Sequence, residues 1–246
     1  KRTEDLHSRI LDAIENLEPL SAQDLFVNLS QIAPEDIRLI NLTDRMAVLP
    51  DVIRQLEQAE TAAEAGDFEL AVDAATTAVN EDIEHQNAAS RLFHFENLWR
   101  DQRFNQSMTS GYASLTLERF EDTRKDFLIA KNLRPNNFEV DAAINELNQQ
   151  EKRATLIRLR KISESAESEE KWAQAVKAYR EAIRIDANIL FAVRGLPKAE
   201  QRADLDTRLS TIPQERDRLI DRRIMSKALV TLEEAIKVDV SDPNDI

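Results

Sequence analysis

The sequence predicts an all-α protein, organised as an α-solenoid of helical repeats whose first helices are unusually long. Three observations support this. Only three glycines and seven prolines occur in 246 residues, which is far below their average usage. The alternation of apolar and polar residues that marks β-strands is nearly absent. Apolar residues instead recur at helical spacing, and one such pattern returns along the chain at a nearly constant interval.

Composition and charge exclude several functional classes. The chain has 46 acidic and 33 basic residues, and therefore a net charge of −13. Nucleic acids and anionic membrane surfaces are held mainly by surplus positive charge, so neither is an expected partner. No apolar run approaches the roughly 18 to 20 residues that cross a bilayer, so direct membrane insertion is not expected. The absence of cysteine excludes disulfides, thiolate metal sites and cysteine nucleophiles.

The repeated pattern opens with a bulky residue, followed by a small residue three positions later, a bulky or small one four positions on and alanine after three more. Small residues let a neighbouring helix approach closely, and the bulky residues fill the grooves on either side. We therefore interpret each copy as the second helix of a helix–turn–helix unit, with the pattern facing the core. Four segments carry it: Phe68, Ala71, Ala75 and Ala78; Phe120, Thr123, Phe127 and Ala130; Trp172, Ala175, Tyr179 and Ala182; Met225, Ala228, Leu232 and Ala235.

The interval between copies is 52 residues, twice, and then 53 from Trp172 to Met225. Residues 136–170 contain neither proline nor glycine, which favours one helix of about 33 residues, about 50 Å long. The alternative is two helices broken within the polar run at 148–153. Continuous long helices predict an extended, staggered array, in which Pro197 and Pro213 make the last interval the one expected to be broken or kinked.

These residues resemble the tetratricopeptide repeat (TPR), a helix pair that repeats about every 34 residues. The stretch AETAAEAGDFELAVDAATTAV carries small Ala59 and Ala62 on the first helix and Gly-Asp-Phe at the turn. Gly111 to Pro135 matches as well, with Pro135 as the closing proline. The third unit departs from the pattern, with Glu-Lys at its turn, and the fourth lacks the aromatic residue. The resemblance extends over about residues 50–240, and an unrelated helical bundle is the alternative.

On this resemblance the chain has three parts. Residues 1–49 are expected to form a degenerate N-terminal helical cap, in which Ala22, Phe26, Leu29 and Pro34 are a decayed copy of the repeat. Residues 50–240 carry four repeats, separated by helical inserts, at about 50–83, 102–135, 154–187 and 207–240. Residues 241–246 form a C-terminal tail. Because the chain begins at Lys1 and ends in SDPNDI, we expect it to be cut from a longer protein.

TPR arrays commonly bind a peptide or helix along the concave face lined by their first helices. Tyr112 is the best candidate anchor because it follows the small residue Gly111 and is expected to point away from its own second helix. The alternative is a partly buried tyrosine that stiffens the array. Chaperone-binding members have Lys and Asn where this chain has Met108 and Tyr112, which argues against a chaperone adaptor. The resemblance places eight residues on the face: Asn105, Met108, Tyr112, Thr116, Ile157, Arg160, Glu164 and Glu167.

The two tryptophans have different expected roles. Trp172 occupies a position of the repeated pattern and is predicted to lie in the core. Trp99 lies outside the pattern. It either covers the additional helical segment or is an exposed anchor for a partner.

No enzyme active site is expected. His7, His85 and His94 are isolated, and the motifs HExxH, GxSxG, GxxxxGK[ST] and GxGxxG do not occur. The acidic run at 164–170 is interpreted as a solvated helix end, and the basic clusters are interleaved with acids as ordinary i,i+4 pairs. We therefore predict no catalysis, no cofactor and no metal.

The predicted function is a non-catalytic scaffold that binds a partner protein or peptide, with acidic character selecting basic partners. Two alternatives stay open: a structural spacer or self-association rod, which would form a homodimer and hold a neighbouring domain, and a regulatory domain of a larger enzyme. The segment AYREAIRIDANILFAVRGLPKAE is also similar to bacterial envelope proteins in which such repeats follow a membrane anchor. That similarity implies a periplasmic location; without it, a cytoplasmic one is expected.

Overall fold

A computed structural model of the chain describes residues 2–212 and 221–240. Over these residues the regular structure is entirely α-helical, which confirms the prediction of an all-α protein. The predicted tail at 241–246 and residues 213–220 of the fourth predicted repeat lie outside the described residues. The helices are α1 (Arg2–Glu15), α2 (Pro19–Ile32), α3 (Arg38–Glu64), α4 (Phe68–Glu81), α5 (Gln86–Thr116), α6 (Phe120–Leu133), α7 (Phe138–Ser168), α8 (Trp172–Ile185), α9 (Leu190–Thr211) and α10 (Arg222–Val240).

The chain divides into two compact units, Lys1–Ala143 and Ile144–Ile246. In the first unit, α1 to α6 pack consecutively, each on the next. Leu6, Ile14 and Leu29 belong to an apolar cluster that joins α1, α2 and α3. In the second unit, α8 packs on α9, and α9 on α10.

Long helices alternate with short ones, as the repeat spacing predicts. Helices α5 and α7 contain 31 residues each, and α7 continues through the polar run at 148–153, so the prediction of one long helix is confirmed. The predicted unit starts at 50, 102 and 154 fall inside α3, α5 and α7. Helix α9 contains 22 residues and ends at Thr211, shortly before Pro213 in the sequence, where a proline disfavours helical geometry in the residue ahead of it.

The short helices α2, α4, α6 and α8 each contain 14 residues and follow the preceding helix after a three-residue connector. The middle connector residue has a positive φ in every case: Leu17 at 60°, Gly66 at 79°, Glu118 at 56° and Glu170 at 58°. The next residue donates its N–H to the carbonyl five positions back, as in Lys171 to Ala166 at 2.8 Å. This is the Schellman helix ending, and the connector between α1 and α2 shares it with the three later connectors.

The repeated pattern faces the core in its first three copies. Its small residues, such as Ala71, Thr123 and Ala175, are completely buried, as is Phe127, and Tyr179 is 4% exposed. The opening residues Phe68 and Phe120 are half-buried. The pattern therefore identifies the side of the short helix on which its neighbours pack.

The fourth copy does not follow this prediction. Met225 and Leu232 are 46% and 45% exposed, while Thr231, between them, is buried. Helix α10 packs on α9, and Arg208 of α9 donates to Glu234 at 2.7 Å. The side that carries Thr231 and Glu234 thus faces α9, and the bulky residues of the pattern lie on the outer side.

Candidate binding face on the long helices

Three of the four residues predicted on the second unit's binding face are exposed on α5. Asn105, Tyr112 and Thr116 lie at intervals of about two turns and one turn, so they share one side of the helix; we call them the α5 face. Met108 was predicted to lie with them, but it is 5% exposed and belongs to the core. It therefore cannot contact a partner in this conformation.

Tyr112 packs against α6 and is partly exposed. Its side chain is 41% exposed, and its ring lies 5.2 Å from the ring of Phe127 with the planes 70° apart, an edge-to-face contact. Gly111 makes room for Phe127, because a Cβ at that position would lie 2.4 Å from a ring carbon of Phe127. Gly111 is thus the small packing residue that the sequence predicted, but the expectation that Tyr112 points away from its own second helix is wrong, because the close approach of α5 to α6 brings its ring onto Phe127 of α6.

The corresponding residues of α7 are mainly polar. Ile157 is 58% exposed, and Arg160 donates to Glu164 one turn later at 2.7 Å. Glu167 is half-buried and accepts a hydrogen bond from the Tyr179 hydroxyl at 2.8 Å. We call these four residues of α7, Ile157, Arg160, Glu164 and Glu167, the α7 face. Only Ile157 offers an exposed apolar side chain.

The Tyr179 hydroxyl makes a hydrogen bond within the protein, and its pKa is raised. Burial raises its pKa, and the hydrogen bond to the Glu167 carboxylate adds to the effect, bringing the pKa to about 12. Gly195 of α9 accommodates the ring, since a Cβ there would lie 2.4 Å from Cζ of Tyr179. The tyrosine therefore joins α7, α8 and α9, and Glu167 is occupied by this contact.

Trp99 lies half-buried on α5 beside the α3–α4 connector. It lines an open groove of about 290 Å³ together with Gly66, Asp67 and Arg103, and Gln102 donates to the Gly66 carbonyl at 3.0 Å. Trp99 is thus partly covered and partly exposed, so both predicted roles for it stay open.

Trp172 is half-buried rather than enclosed, and it packs against the core cluster of the second unit. The guanidinium of Arg202 lies 4.9 Å from its ring centroid, a cation–π contact. The tryptophan therefore contributes to the contact between α8 and α9. The repeat predicted that it lies in the core, and it lies at the edge of the core.

A buried ionic cluster in the first unit was not predicted from the sequence. Arg45 of α3 is 8% exposed; it donates to Asp82 at 2.8 Å and to Glu15 at 3.1 Å. Burial lowers the pKa of the Arg45 guanidinium, but the hydrogen bonds to Asp82 and Glu15 outweigh burial, and the pKa is raised. For Glu15, burial raises the pKa, but hydrogen bonds from the Asn87 backbone and Arg45 prevail and lower it.

His85 belongs to the same cluster and is completely buried. Its Nε2 lies 3.1 Å from the Ile14 carbonyl, and its Nδ1 lies 3.3 Å from the Ala88 N–H and 3.2 Å from Glu15. Because a carbonyl can only accept, Nε2 carries the proton, and Nδ1 accepts from Ala88. His85 is thus not isolated, and the cluster connects α1, α3 and the α4–α5 connector. Its side chains form hydrogen bonds and ion pairs with one another, so we interpret the cluster as a structural clamp between these elements.

Within the described residues, no group of three or more His, Cys, Asp or Glu side chains is arranged to hold a metal ion. In the same part of the chain, no helix is both long and apolar enough to cross a membrane. Comparison with protein families, characterised proteins and solved structures gave no significant match. The resemblance to the tetratricopeptide repeat therefore rests on the residues quoted above, and it stays a prediction.

Proposed function

We propose that this chain is a non-catalytic scaffold of tetratricopeptide-like repeats that binds a partner protein or peptide along the exposed side of its long helices. The proposal rests on the exposure and the fixed position of the Tyr112 side chain. Binding energy at protein interfaces concentrates in a few aromatic residues that are rigid before binding. Tyr112 is 41% exposed, yet its ring is already positioned against the fully buried Phe127.

The surroundings of Tyr112 favour a partner with apolar and basic groups. The α5 face itself is uncharged, so an apolar side chain can pack on the tyrosine without burying a charge. Carboxylates follow at the end of α5 and the start of α6, where Glu118, Glu121 and Asp122 are exposed. Together with the net charge of −13, these acids would attract a partner that carries Lys or Arg beside its apolar anchor.

The α7 face supports a weaker, more polar contact. Glu167 is engaged by Tyr179, and Arg160 pairs with Glu164, so binding here would have to compete with existing contacts. Ile157, at 58% exposure, is the residue of this face that a partner could cover at little cost. We therefore assign the principal anchor to the α5 face.

The experiment is a selection from a random peptide library displayed on phage, using the whole chain as bait. We expect enriched peptides to combine an apolar residue with basic ones, and Tyr112→Ala to weaken their binding at least about tenfold. The matched control is Phe93→Ala, because Phe93 is an exposed aromatic of the same helix, 19 residues earlier and about 28 Å along the axis.

Circular dichroism verifies that both variants keep the helical content of the wild type. Peptides that bind wild type and Tyr112→Ala equally, or a selection that enriches none, would refute this proposal.

The proposal also includes the location of the protein in the cell. The similarity of residues 178–200 to bacterial envelope proteins supports a periplasmic location in a membrane-anchored protein. Fractionation of the source cells tests this, since recovery in the cytosolic fraction would contradict it.

A further inference from the structure

An open groove lies where the end of α7 meets the start of α8. Its volume is about 300 Å³, at the lower end of the range for small-ligand sites. Six of its lining residues are polar or charged: Arg158, Lys161 and Ser165 of α7, Glu169 and Lys171 of the connector, and Gln174 of α8. We call it the α7–α8 groove.

Two cations of the groove have no acidic partner. The sequence predicted that basic clusters such as 158–161 form ordinary i,i+4 pairs, and Arg160 does pair with Glu164, at 2.7 Å. Arg158 and Lys161, in contrast, form an ion pair with none of the residues that the structure describes. They are exposed and three positions apart, so they are neighbours on one side of α7. In a chain with 46 acidic and 33 basic residues, two adjacent unpaired cations indicate a site for an anion.

The third cation of the groove is already neutralised. Nζ of Lys171 lies 2.5 Å from a carboxylate oxygen of Glu169, and the Ser165 hydroxyl donates to the same carboxylate at 3.0 Å. The hydrogen bond from Lys171 is the main reason that the pKa of Glu169 is lowered. Because Glu169 is the one acid among the residues that line the groove, the groove keeps a surplus of two positive charges.

We propose that the α7–α8 groove binds a phosphate group on a side chain of a partner protein. A phosphorylated serine carries about −1.5 to −2 charges at neutral pH and three acceptor oxygens, which matches the two unpaired cations. The guanidinium of Arg158 can donate two parallel N–H groups to such a phosphate. A carboxylate carries a single charge and would leave one of the two cations unpaired.

The start of α8 has the same electrostatic character. It has neither an acidic residue in its first turn nor a side-chain cap, whereas Asp67 caps α4, and Glu121 and Asp122 lie in the first turn of α6. The positive end of the α8 dipole is therefore not compensated by an acid of this turn, and it adds to the positive potential of the groove. Gln174 lies in the same turn and is exposed, and its amide carries two N–H donors.

Apolar side chains beside the groove favour a phosphate carried by a protein over a free one. Ile162, which lines the groove, is 36% exposed, and Ile157, one turn before Lys161, is 58% exposed. The residues that flank a phosphorylated side chain would cover these isoleucines, which a small phosphate ion cannot do. The inference rests on the proposed partner-binding function, but it uses a surface that does not include Tyr112.

Phosphorus NMR of a phosphopeptide tests the inference, because the signal comes from the phosphate itself. The probe is a short peptide with phosphoserine between two isoleucines and alanine elsewhere, titrated with the whole chain near neutral pH. We expect a saturable shift of the phosphorus signal, and Arg158→Gln combined with Lys161→Gln should weaken binding at least about tenfold. The matched control is Arg153→Gln combined with Arg184→Gln, which removes two exposed cations of the same two helices outside the groove and should leave binding unchanged. Circular dichroism verifies that both double variants are folded.

Further comparisons test the charge argument and separate this site from the α5 face. Glu169→Gln should strengthen binding about threefold, because it removes a like charge and releases Lys171. The same peptide with aspartate in place of phosphoserine, and inorganic phosphate alone, should each compete at least about tenfold more weakly than the phosphopeptide. Tyr112→Ala should leave phosphopeptide binding unchanged, so that failure of this inference and failure of the α5 face give different results.

Four results would overturn the inference. The first is the absence of saturable binding of the phosphopeptide. The second is equal weakening by the two double variants, which would indicate a general effect of net charge. The third is an aspartate peptide that competes as well as the phosphopeptide, and the fourth is inorganic phosphate that does so, which would identify a small phosphate as the ligand.

Discussion

Replacing Glu170 by glycine is expected to stabilise the protein. Glu170 is the middle residue of the α7–α8 connector and has a φ of 58°, in the left-handed region that favours glycine. Its side chain is exposed, and its backbone N–H donates to the Glu167 carbonyl at 3.1 Å. The replacement therefore keeps the hydrogen bonds of the helix ending and removes only the side chain.

The expected magnitude follows from three contributions. A residue with a Cβ in the left-handed region costs about 1 to 2 kcal/mol, which glycine avoids. Glycine also gives the unfolded chain more freedom, which offsets the gain by about 0.4 to 1 kcal/mol. Removal of a carboxylate near the negative end of the α7 dipole adds a few tenths. The net result is a rise of about 1 kcal/mol in the free energy of unfolding.

Urea denaturation followed by circular dichroism measures this change. Two control variants, explained by the same conformational preferences, are expected to lower the free energy of unfolding instead of raising it. Gly66→Ala should cost about 1 kcal/mol from conformation alone, because no atom lies within 4 Å of the added Cβ and φ is 79°. Ala113→Gly, at an exposed site inside α5, should also cost about 1 kcal/mol. The account of the connectors would be refuted if Glu170→Gly destabilised the protein as Ala113→Gly does.

Three other outcomes are expected. Asp82→Asn should cost about 3 kcal/mol in chemical denaturation, because it leaves a buried guanidinium short of a partner, while Asp141→Asn, in a pair that is 31% and 53% exposed, should stay within about 0.5 kcal/mol; equal effects would contradict the buried clamp. Gly111→Ala should cost about 1 to 3 kcal/mol despite the better helix propensity of alanine, since the Cβ meets Phe127, and a more stable variant would show that α5 and α6 are farther apart. The pKa of Tyr179, raised from 10.0 to about 12, predicts that its contribution to stability is complete below pH 10 and disappears as the pH rises through 12; absorbance at 295 nm should show a tyrosine ionisation near pH 12 that Tyr179→Phe removes, and a difference between wild type and Tyr179→Phe centred near pH 10 would be inconsistent with the buried hydroxyl.

The repeat could be predicted because it depends on local sequence. The absence of proline and glycine between 136 and 170 was enough to predict that α7 is continuous, and small residues at fixed positions identified the packed side of the short helices. A fixed interval of 52 residues links those two signals. The length of a helix and the side on which it packs depend only on that helix and its nearest neighbour, so a local sequence pattern can predict both.

What the sequence did not show depends on the third dimension. Arg45 is 30 and 37 positions from its two principal carboxylate partners, and no spacing rule connects residues so far apart. The outward position of Met225 follows from how α10 meets α9, where the pattern of the earlier units no longer applies. Met108 and Tyr112 are one turn apart on the same side of α5, yet Met108 is buried and Tyr112 is exposed. Which of the two a neighbouring helix covers depends on where that helix crosses α5, and the sequence does not give this position.

Fluorine NMR of the chain labelled with 3-fluorotyrosine tests the proposed binding face most directly. The sequence contains two tyrosines: Tyr112, at the centre of the α5 face, and Tyr179, which is 4% exposed. On titration with a peptide selected for binding, the Tyr112 signal is predicted to shift and to saturate together with the fluorescence anisotropy of the labelled peptide. A Tyr112 signal that stays unchanged when the peptide is fully bound would contradict the assignment of the α5 face as the binding surface.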